Sequence, residues 1–240
     1  MSVLKSLFAT CRFAMFLCLL ASGPILAKDS VLLELYTRNQ CENCRVAETL
    51  AAEMIKQDKS LQYITFHVAH DNLERKGNPF TSEFNNERWR NYTQRMGYTY
   101  DYTPLFVFSG ISNIIGAEKQ KAYEALKKAK VFIKKLNLNI NARKVKNTMF
   151  VDFEYERALQ SKFDVWLYSY ERKKASKISY GSQKGRYQRG VNIVNGAWLL
   201  GAWDGQATSV ELQLPDRLRG KLLLVIQETK QGSIIAHDFL

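Results

Sequence analysis

What this chain has little of narrows it first. Cysteine occurs four times in 240 residues, and two of the four, Cys11 and Cys18, fall in the first 27. That opening stretch carries Lys5 and Arg12, an apolar run from Phe13 to Leu20, a break at Ser22-Gly23-Pro24, and Ala27 just before Lys28. The pattern is that of a secretory signal peptide cleaved after Ala27, with an apolar core too short for a comfortable membrane span. Export to the periplasm is the expectation. Removing the leader leaves only Cys41 and Cys44, so the mature chain has no structural disulfide framework. A zinc site built on that pair would lack two further cysteine ligands. Residues 28–240 also show no second long apolar run, no internal repeat and no low-complexity tract.

What is there centres on residues 31–48, VLLELYTRNQCENCRVAE. Val31–Tyr36 is an apolar run that reads as a buried strand, and Thr37–Gln40 is a polar turn. Cys41-Glu42-Asn43-Cys44 then opens an amphipathic helix over 44–57, whose stripe is Val46, Ala47, Leu50, Ala51, Met54 and Ile55. A strand feeding a CxxC at a helix start is the setting in which that motif carries redox chemistry. Unpaired backbone N–H groups and the helix dipole favour an anion there, which is what a reactive thiolate is. Half of a zinc site and an inert pair are the competing readings of the same four residues.

Residues 61–68 read as a second strand. Strand, helix and strand form a βαβ unit with parallel strands, whose C-terminal ends share one sheet edge. Cys41 follows the first strand and His67 and His70 fall at the end of the second, on the edge that carries the thiols. The favoured expectation is a loop histidine bonded to backbone; the sharper alternative is a proton shuttle or metal ligand beside the sulfurs, with His67 ahead of His70 because it is still within the strand. Residues 71–82 read as irregular. A helix is predicted over 83–96, capped by Ser82 and carrying Trp89, Tyr92 and Met96 on one face. A loop with Tyr98, Tyr100 and Tyr102 leads through Thr103-Pro104 into a strand at 105–108. Proline is tolerated as a strand's first residue, and a cis bond there would turn the chain sharply. A short antiparallel strand at 111–115 and a last helix with Ala122, Leu126, Ala129, Ile133 and Leu136 on its apolar stripe follow.

This order resembles the thioredoxin-like fold. The resemblance implies that Cys41 is the exposed nucleophile, Cys44 the resolving thiol and Pro104 a cis-proline facing them, with Thr103 before it. LELYT at 33–37, CENCRVAE at 41–48, FHV at 66–68, NPF at 78–80 and YTP at 102–104 are also similar to a secreted bacterial family of unknown function, with a thioredoxin-like N-terminal half and a β-rich C-terminal half. So are Gly185 and its neighbours, Asn192-Ile193-Val194, Leu200–Gly205 and Gly232–Ile235. In that family the second cysteine is usually followed by proline, where this chain has Arg45.

Residues 137–146 read as a linker or a short edge strand. From 147 the period changes to two, with Met149, Val151, Phe153 and Tyr155 alternating, then Phe163, Val165 and Leu167. Trp166 and Tyr168 make the opposite face apolar too, so that strand is expected to be covered on both sides. Further strands are predicted at 176–180, 189–200, 207–214, 220–228 and 233–239, with no helix. The fold class expected is therefore an α/β thioredoxin-like domain (28–137) followed by an all-β sandwich-like domain (138–240).

Charge is unevenly placed. Residues 28–130 are near neutral, whereas residues 131–240 carry 18 basic and 10 acidic groups. Arg172, Lys173, Lys174, Lys177, Lys184, Arg186 and Arg189 cluster around Tyr180 and Tyr187. Nucleic acid is an unfavoured partner for an exported chain, weak contact with an anionic envelope surface a better one, and a solvated basic face the simplest.

The chemistry expected is thiol–disulfide exchange with protein or small-molecule disulfides and an unidentified redox partner. Cys41 and Cys44 are catalytic, with Pro104, Thr103, Arg45 and His67 supporting and Tyr100 and Tyr102 presenting a surface to substrate. No cofactor beyond the reversible Cys41–Cys44 disulfide is implied. An alternative is a Cu(I) chaperone using Cys41 and Cys44 with His67 or His70. A third is a non-catalytic envelope binding module.

Overall fold

A computed structural model describes residues 29–240, with the side chains of Gln188 and Arg189 left aside. The proposed leader, 1–27, lies outside the described residues. Among those residues no helix is long and apolar enough to cross a membrane.

The protein is mixed α/β, with one eight-stranded mixed sheet and one three-stranded antiparallel sheet. Strand β1 (Val31–Thr37) is buried along its whole length and leads into helix α1 (Glu42–Gln57). Strand β2 (Leu61–His67) pairs parallel to β1 in register from Val31 with Leu61 to Thr37 with His67. The stretch expected to be irregular contains a short helix, α2 (Asn72–Gly77). Its cap is local: the Asp71 carboxylate accepts from Glu74 N at 2.7 Å, the usual remedy for an orphan first-turn donor. Helix α3 (Glu83–Arg95) starts at Ser82, whose hydroxyl accepts from Asn85 N. Strands β3 (Leu105–Phe108) and β4 (Ser112–Ile115) are antiparallel, and β3 pairs antiparallel to β1. Helix α4 (Lys119–Leu136) ends at Asn137, in the left-handed conformation that stops a helix. Helices α1 and α4 pack on one face of β1 through Leu33, Leu35, Ala47, Met54 and Leu126, and α3 packs on the other through Tyr36, Trp89 and Tyr92.

Residues 139–145 are an edge strand, β5 (Asn139–Val145), rather than a linker. It pairs with β6 (Thr148–Glu154), which pairs with β9 (Ser209–Gln213), to form the small sheet. Strand β7 (Phe163–Lys177) runs through the predicted start of the 176–180 strand, and β8 (Tyr187–Trp203) is its long partner. Strands β10 (Lys221–Glu228) and β11 (Ile234–Phe239) complete the chain.

The C-terminal half is not a closed sandwich of its own. Four of its strands, in the order β11-β10-β7-β8, continue the first half's order β2-β1-β3-β4. The join is a parallel pairing of Thr65 on β2 with Ile193 on β8. Two side chains reinforce it: Thr65 Oγ1 donates to the Val191 carbonyl at 2.8 Å, and Asn192 Nδ2 donates to the Tyr63 carbonyl at 2.8 Å. A buried strand such as β2 cannot leave its edge bare, and β8 covers it. The small sheet closes a second layer over β7, β8 and β10 through Met149, Val151, Phe153, Leu167 and Leu224. There Trp203 stacks on Phe153 with centroids 4.0 Å apart. Strand β7 is covered on both sides as expected, with Val165 and Leu167 in that core and Tyr168 and Tyr170 in the one shared with α3.

The two halves also share a buried polar network. Glu34, in the middle of β1, is fully buried and meets Arg88 of α3 at 2.8 Å. Tyr92 OH donates to the other Glu34 oxygen at 2.8 Å, and Gln227 of β10 donates to Tyr92 OH at 2.9 Å and to the Gly232 carbonyl at 2.8 Å. Removing one member of a buried ion pair strands the other, at a cost of about 3–5 kcal/mol, whereas an apolar pair of similar size is often tolerated. Arg88→Met is therefore expected to lower the unfolding free energy by about that amount in chemical denaturation. Glu34→Leu combined with Arg88→Met should recover most of the loss; a double variant no more stable than the single one would contradict this account.

Candidate functional site

Strand β1 delivers its last residue, Thr37, to the sheet edge, and the three residues after it carry the chain to Cys41. Cys41 is the N-cap of α1, extended at φ −112° and ψ 108°, and no side chain caps the helix there. Its position leaves first-turn N–H groups and the positive end of the dipole beside the sulfur. Cys44 sits one turn deeper, on the same face as Ala47 and Ala51, and is 2 % exposed, whereas Cys41 is only partly buried. The two are joined by a disulfide with an S–S distance of 2.20 Å and Cα atoms 5.3 Å apart. One sulfur therefore meets solvent and the other lies under it.

Thr103 and Pro104 come to the same place. Their peptide bond is cis, and the Thr103 carbonyl oxygen is 3.6 Å from Cys41 Sγ. Arg38, from the turn after β1, donates from Nε to Thr103 Oγ1 at 3.0 Å and lies 3.4 Å from the Glu74 carboxylate. Trp89 Nε1 donates to the Tyr102 carbonyl at 2.9 Å, which holds the chain just before Thr103.

A cavity of about 240 Å³ opens beside the disulfide, lined by Arg38, Cys41, Cys44, Glu48, Ile178 and Tyr187 among others. Arg45 lines it too. A larger cavity of about 540 Å³ lies between α3 and the C-terminal strands, with Trp166 and Gln227 in its wall, and contains neither cysteine. The smaller one adjoins the reactive atoms and is the candidate site.

Glu48 supplies the carboxyl group of that cavity. It follows Cys44 by one helical turn, so the two share a face. Thr37 Oγ1 donates to its Oε1 at 3.1 Å. Burial pushes its carboxyl up, from an ordinary 4.5 to about 7, against the Thr37 hydrogen bond and the Arg45 charge, which both pull it down. A carboxyl poised near neutrality beside a buried sulfur can take a proton from it or return one.

The remaining predicted residues fall as follows. His67 ends β2, fully buried, its ring edge-on to Phe80 with centroids 5.1 Å apart; burial pushes it down to about 3, which keeps it neutral. His70 stacks edge-on to Trp89 at 5.0 Å and is likewise pushed down, by partial burial and by the Arg38 charge. Neither is among the residues lining the disulfide cavity. Among the described residues no three His, Cys, Asp or Glu side chains come together as a metal site, so the four-residue copper set is not assembled with the sulfurs bonded to each other. Tyr100 and Tyr102 are exposed, with ring centroids 6.2 Å apart, and lie in the chain just before Thr103.

Arg38, Glu48, Ile178 and Tyr187 were not predicted to meet the cysteines. Only Glu48 carried a signal in the sequence, as a carboxylate at helical spacing from Cys44. Arg38 looked like an ordinary turn residue, and Ile178 and Tyr187 arrive from about 140 residues away.

A family model described as a protein of unknown function (DUF1223) matches residues 32–227. No curated protein matches this chain. A crystal structure of a protein from Agrobacterium tumefaciens, solved by structural genomics, is similar over 88 % of this chain and 93 % of that one, with a TM-score of 0.69 and 20 % identity. That likeness shows the shared fold.

The raised Glu48 pKa has a stability consequence. The folded protein keeps a proton that the unfolded chain, titrating near 4.5, has already lost, so this group's contribution falls as pH rises from about 4.5 through about 7. Glu48→Gln is expected to melt higher than the parent at pH 8, with the gap narrowing toward pH 5. A gap that is constant with pH, or of opposite sign at pH 8, would show that Glu48 is not held protonated.

Proposed function

We propose a function for a chain that belongs to DUF1223, a family of unknown function: it is an exported thiol–disulfide oxidoreductase whose Cys41 and Cys44 cycle between disulfide and dithiol. The observation that carries this reading is the partly exposed Cys41 at the start of α1, bonded to a buried Cys44 and set against the Thr103 carbonyl before a cis-proline. We read strands β2-β1-β3-β4, with α1 and α4 on one face and α3 on the other, as a thioredoxin-like unit over 28–137, and residues 138–240 as a β-rich domain grafted onto its sheet. The periplasm is the compartment this reading assigns. A lone redox pair on an exported chain fits work on other molecules better than stabilisation of its own loops.

In the reducing direction, the Cys41 thiolate attacks one sulfur of a partner disulfide. The Cys41–partner bond forms, the partner's own S–S bond breaks, and the leaving thiolate departs with the electron pair. Cys44 then loses its proton to the Glu48 carboxylate and attacks Cys41 Sγ. The intramolecular disulfide closes, the second partner thiolate leaves, and two electrons have passed from protein to partner. Run backwards, the same steps oxidise a dithiol, and Glu48 returns the proton to Cys44. Arg45 and the dipole of α1 stabilise the Cys41 thiolate, Arg38 holds Thr103 beside it, and Tyr100 and Tyr102 offer a flank to the incoming substrate.

The pair of single-cysteine variants tests this directly. Cys44→Ala removes the resolving sulfur, so the exposed Cys41 should accumulate mixed disulfides, seen as reductant-sensitive adducts by mass spectrometry. Cys41→Ala leaves only the buried thiol and should form less than about a tenth as many, since reaction follows thiolate character and access. Equal and negligible adduct formation in both variants would refute the exchange mechanism.

A further inference from the structure

The basic run noted in the sequence belongs to the hairpin between β7 and β8, whose tip spans residues 178–186. That tip is docked on the loop entering Cys41. Gln40, the residue before Cys41, has both ends of its amide engaged: Nε2 donates to the Tyr180 carbonyl at 2.9 Å, and Ser182 Oγ donates to Oε1 at 3.2 Å. Two glycines allow the close approach. A Cβ at Gly181, which has φ +71°, would lie 2.5 Å from Gln40 Oε1, and one at Gly77 would lie 2.1 Å from the Tyr180 ring. The tip is therefore held as a wall of the disulfide cavity, to which it contributes Ile178, with Tyr187 following at the start of β8.

The charge flanking that wall is mostly basic. Lys177 and Arg186 immediately precede the two wall residues, and Lys184 lies in the turn between them; all three are exposed and none lines the cavity itself, Arg186 Nη1 donates to Gln183 Oε1 at 2.9 Å, and Glu42, exposed next to Cys41, is an opposing charge. Arg38 and Arg45 add two guanidinium groups to the lining, against the single carboxylate of Glu48. Glu74 is already occupied with Arg38 and with the amide of His70. The cavity's 240 Å³ lies below the roughly 300–1,000 Å³ typical of drug-sized ligands, which fits a molecule of few heavy atoms.

Building on the thiol–disulfide reading above, we propose that the hairpin tip is a specificity element: Lys177, Lys184 and Arg186 draw low-molecular-weight thiols and disulfides that carry a carboxylate into the cavity beside Cys41. With an anionic thiol, its thiolate attacks Cys41 Sγ. A bond from Cys41 to the incoming sulfur forms, the Cys41–Cys44 bond breaks, and the electron pair and then a proton go to Cys44. A second thiolate displaces the Cys41 thiolate, leaving the two small thiols joined as a disulfide and the protein reduced by two electrons. The basic cluster, whose reading from sequence was envelope contact or a solvated face, thus acts on the substrate, and the C-terminal half completes the site of the N-terminal one.

The test is the rate of reduction of the Cys41–Cys44 disulfide in the mature chain by 3-mercaptopropionate, 2-mercaptoethanol and cysteamine, three small thiols of charge −1, 0 and +1 at the tail. Rates are taken per thiolate and corrected for each thiol's nucleophilicity. The expected order is anionic, neutral, cationic, spread over about tenfold at low ionic strength and shrinking to within about threefold at 0.5 M salt, where the screening length falls to a few ångströms. Lys177→Gln with Lys184→Gln and Arg186→Gln should cut the low-salt spread to within about threefold, leaving the field of Arg38 and Arg45 in the lining. Equal rates, a reversed order, an order indifferent to salt, or a spread undiminished in the triple variant would each overturn the proposal. If dithiothreitol fails to reduce the pair in the folded protein, the thiol–disulfide reading itself falls, a result distinct from loss of charge order.

Discussion

A carboxylate in the centre of a buried strand has to be answered, and much of this protein is arranged around the answer. Glu34 is shut away from solvent on β1, and Arg88 reaches it from α3 with its guanidinium set among the rings of Phe66, Tyr92 and Tyr168 at 5.8, 5.2 and 5.6 Å. Desolvating both charges is costly unless each remaining donor and acceptor is used. The Tyr92 hydroxyl donates to Glu34 and accepts from Arg88, and it is met in turn by Gln227, which belongs to the C-terminal half. The same network therefore fixes α3 on the sheet and ties β10 to β1. Its neighbour in α3, Trp89, holds the Tyr102 carbonyl, and two residues later comes the proline beside the disulfide. The geometry at Cys41 thus rests on a continuous series of packed contacts that begins in the core.

The first half was largely legible because its signals are local. Apolar runs, a helical stripe, Ser82 as a cap and Thr103-Pro104 at a strand start each depend on residues close together in the chain. Asp71 as the cap of a six-residue helix was missed because residues 71–82 are mostly polar, and hydrophobic periodicity says little there. The second half was legible as strands but not as an arrangement. Nothing in its alternation distinguishes a strand that packs in a separate sandwich from one that extends a neighbour's sheet, and the decisive contact is a parallel pairing at Thr65 and Ile193, far apart in sequence. Glu34 was visible as a charge inside an apolar run. Its partner was not, since Arg88 sits on a helix whose predicted apolar face made no room for it.

The candidate site divides in the same way. Cys41, Cys44, Thr103 and Pro104 were predicted from spacing and resemblance, and they meet. The histidines at the end of β2 were predicted from topology, and the sheet edge does bring them to that side, but His67 is packed against Phe80 and His70 against Trp89 rather than in the cavity wall. Being at the right end of a strand fixes a residue's height, not the direction of its side chain. The C-terminal wall, Ile178 and Tyr187, could come only from three dimensions. What emerges is a disulfide site assembled by both halves: one provides the sulfurs and the carboxyl group, the other a hairpin docked on Gln40 that lends Ile178 and Tyr187 to the cavity wall.

The reduction potential of the Cys41–Cys44 pair, measured by equilibration of the folded mature chain with graded dithiol/disulfide buffers, tests the central claim most directly. A pair built to exchange should titrate as a single two-electron couple within the range of working CxxC proteins, between about −270 and −120 mV. A potential below about −300 mV, the region of disulfides that serve only to hold a fold together, would contradict it.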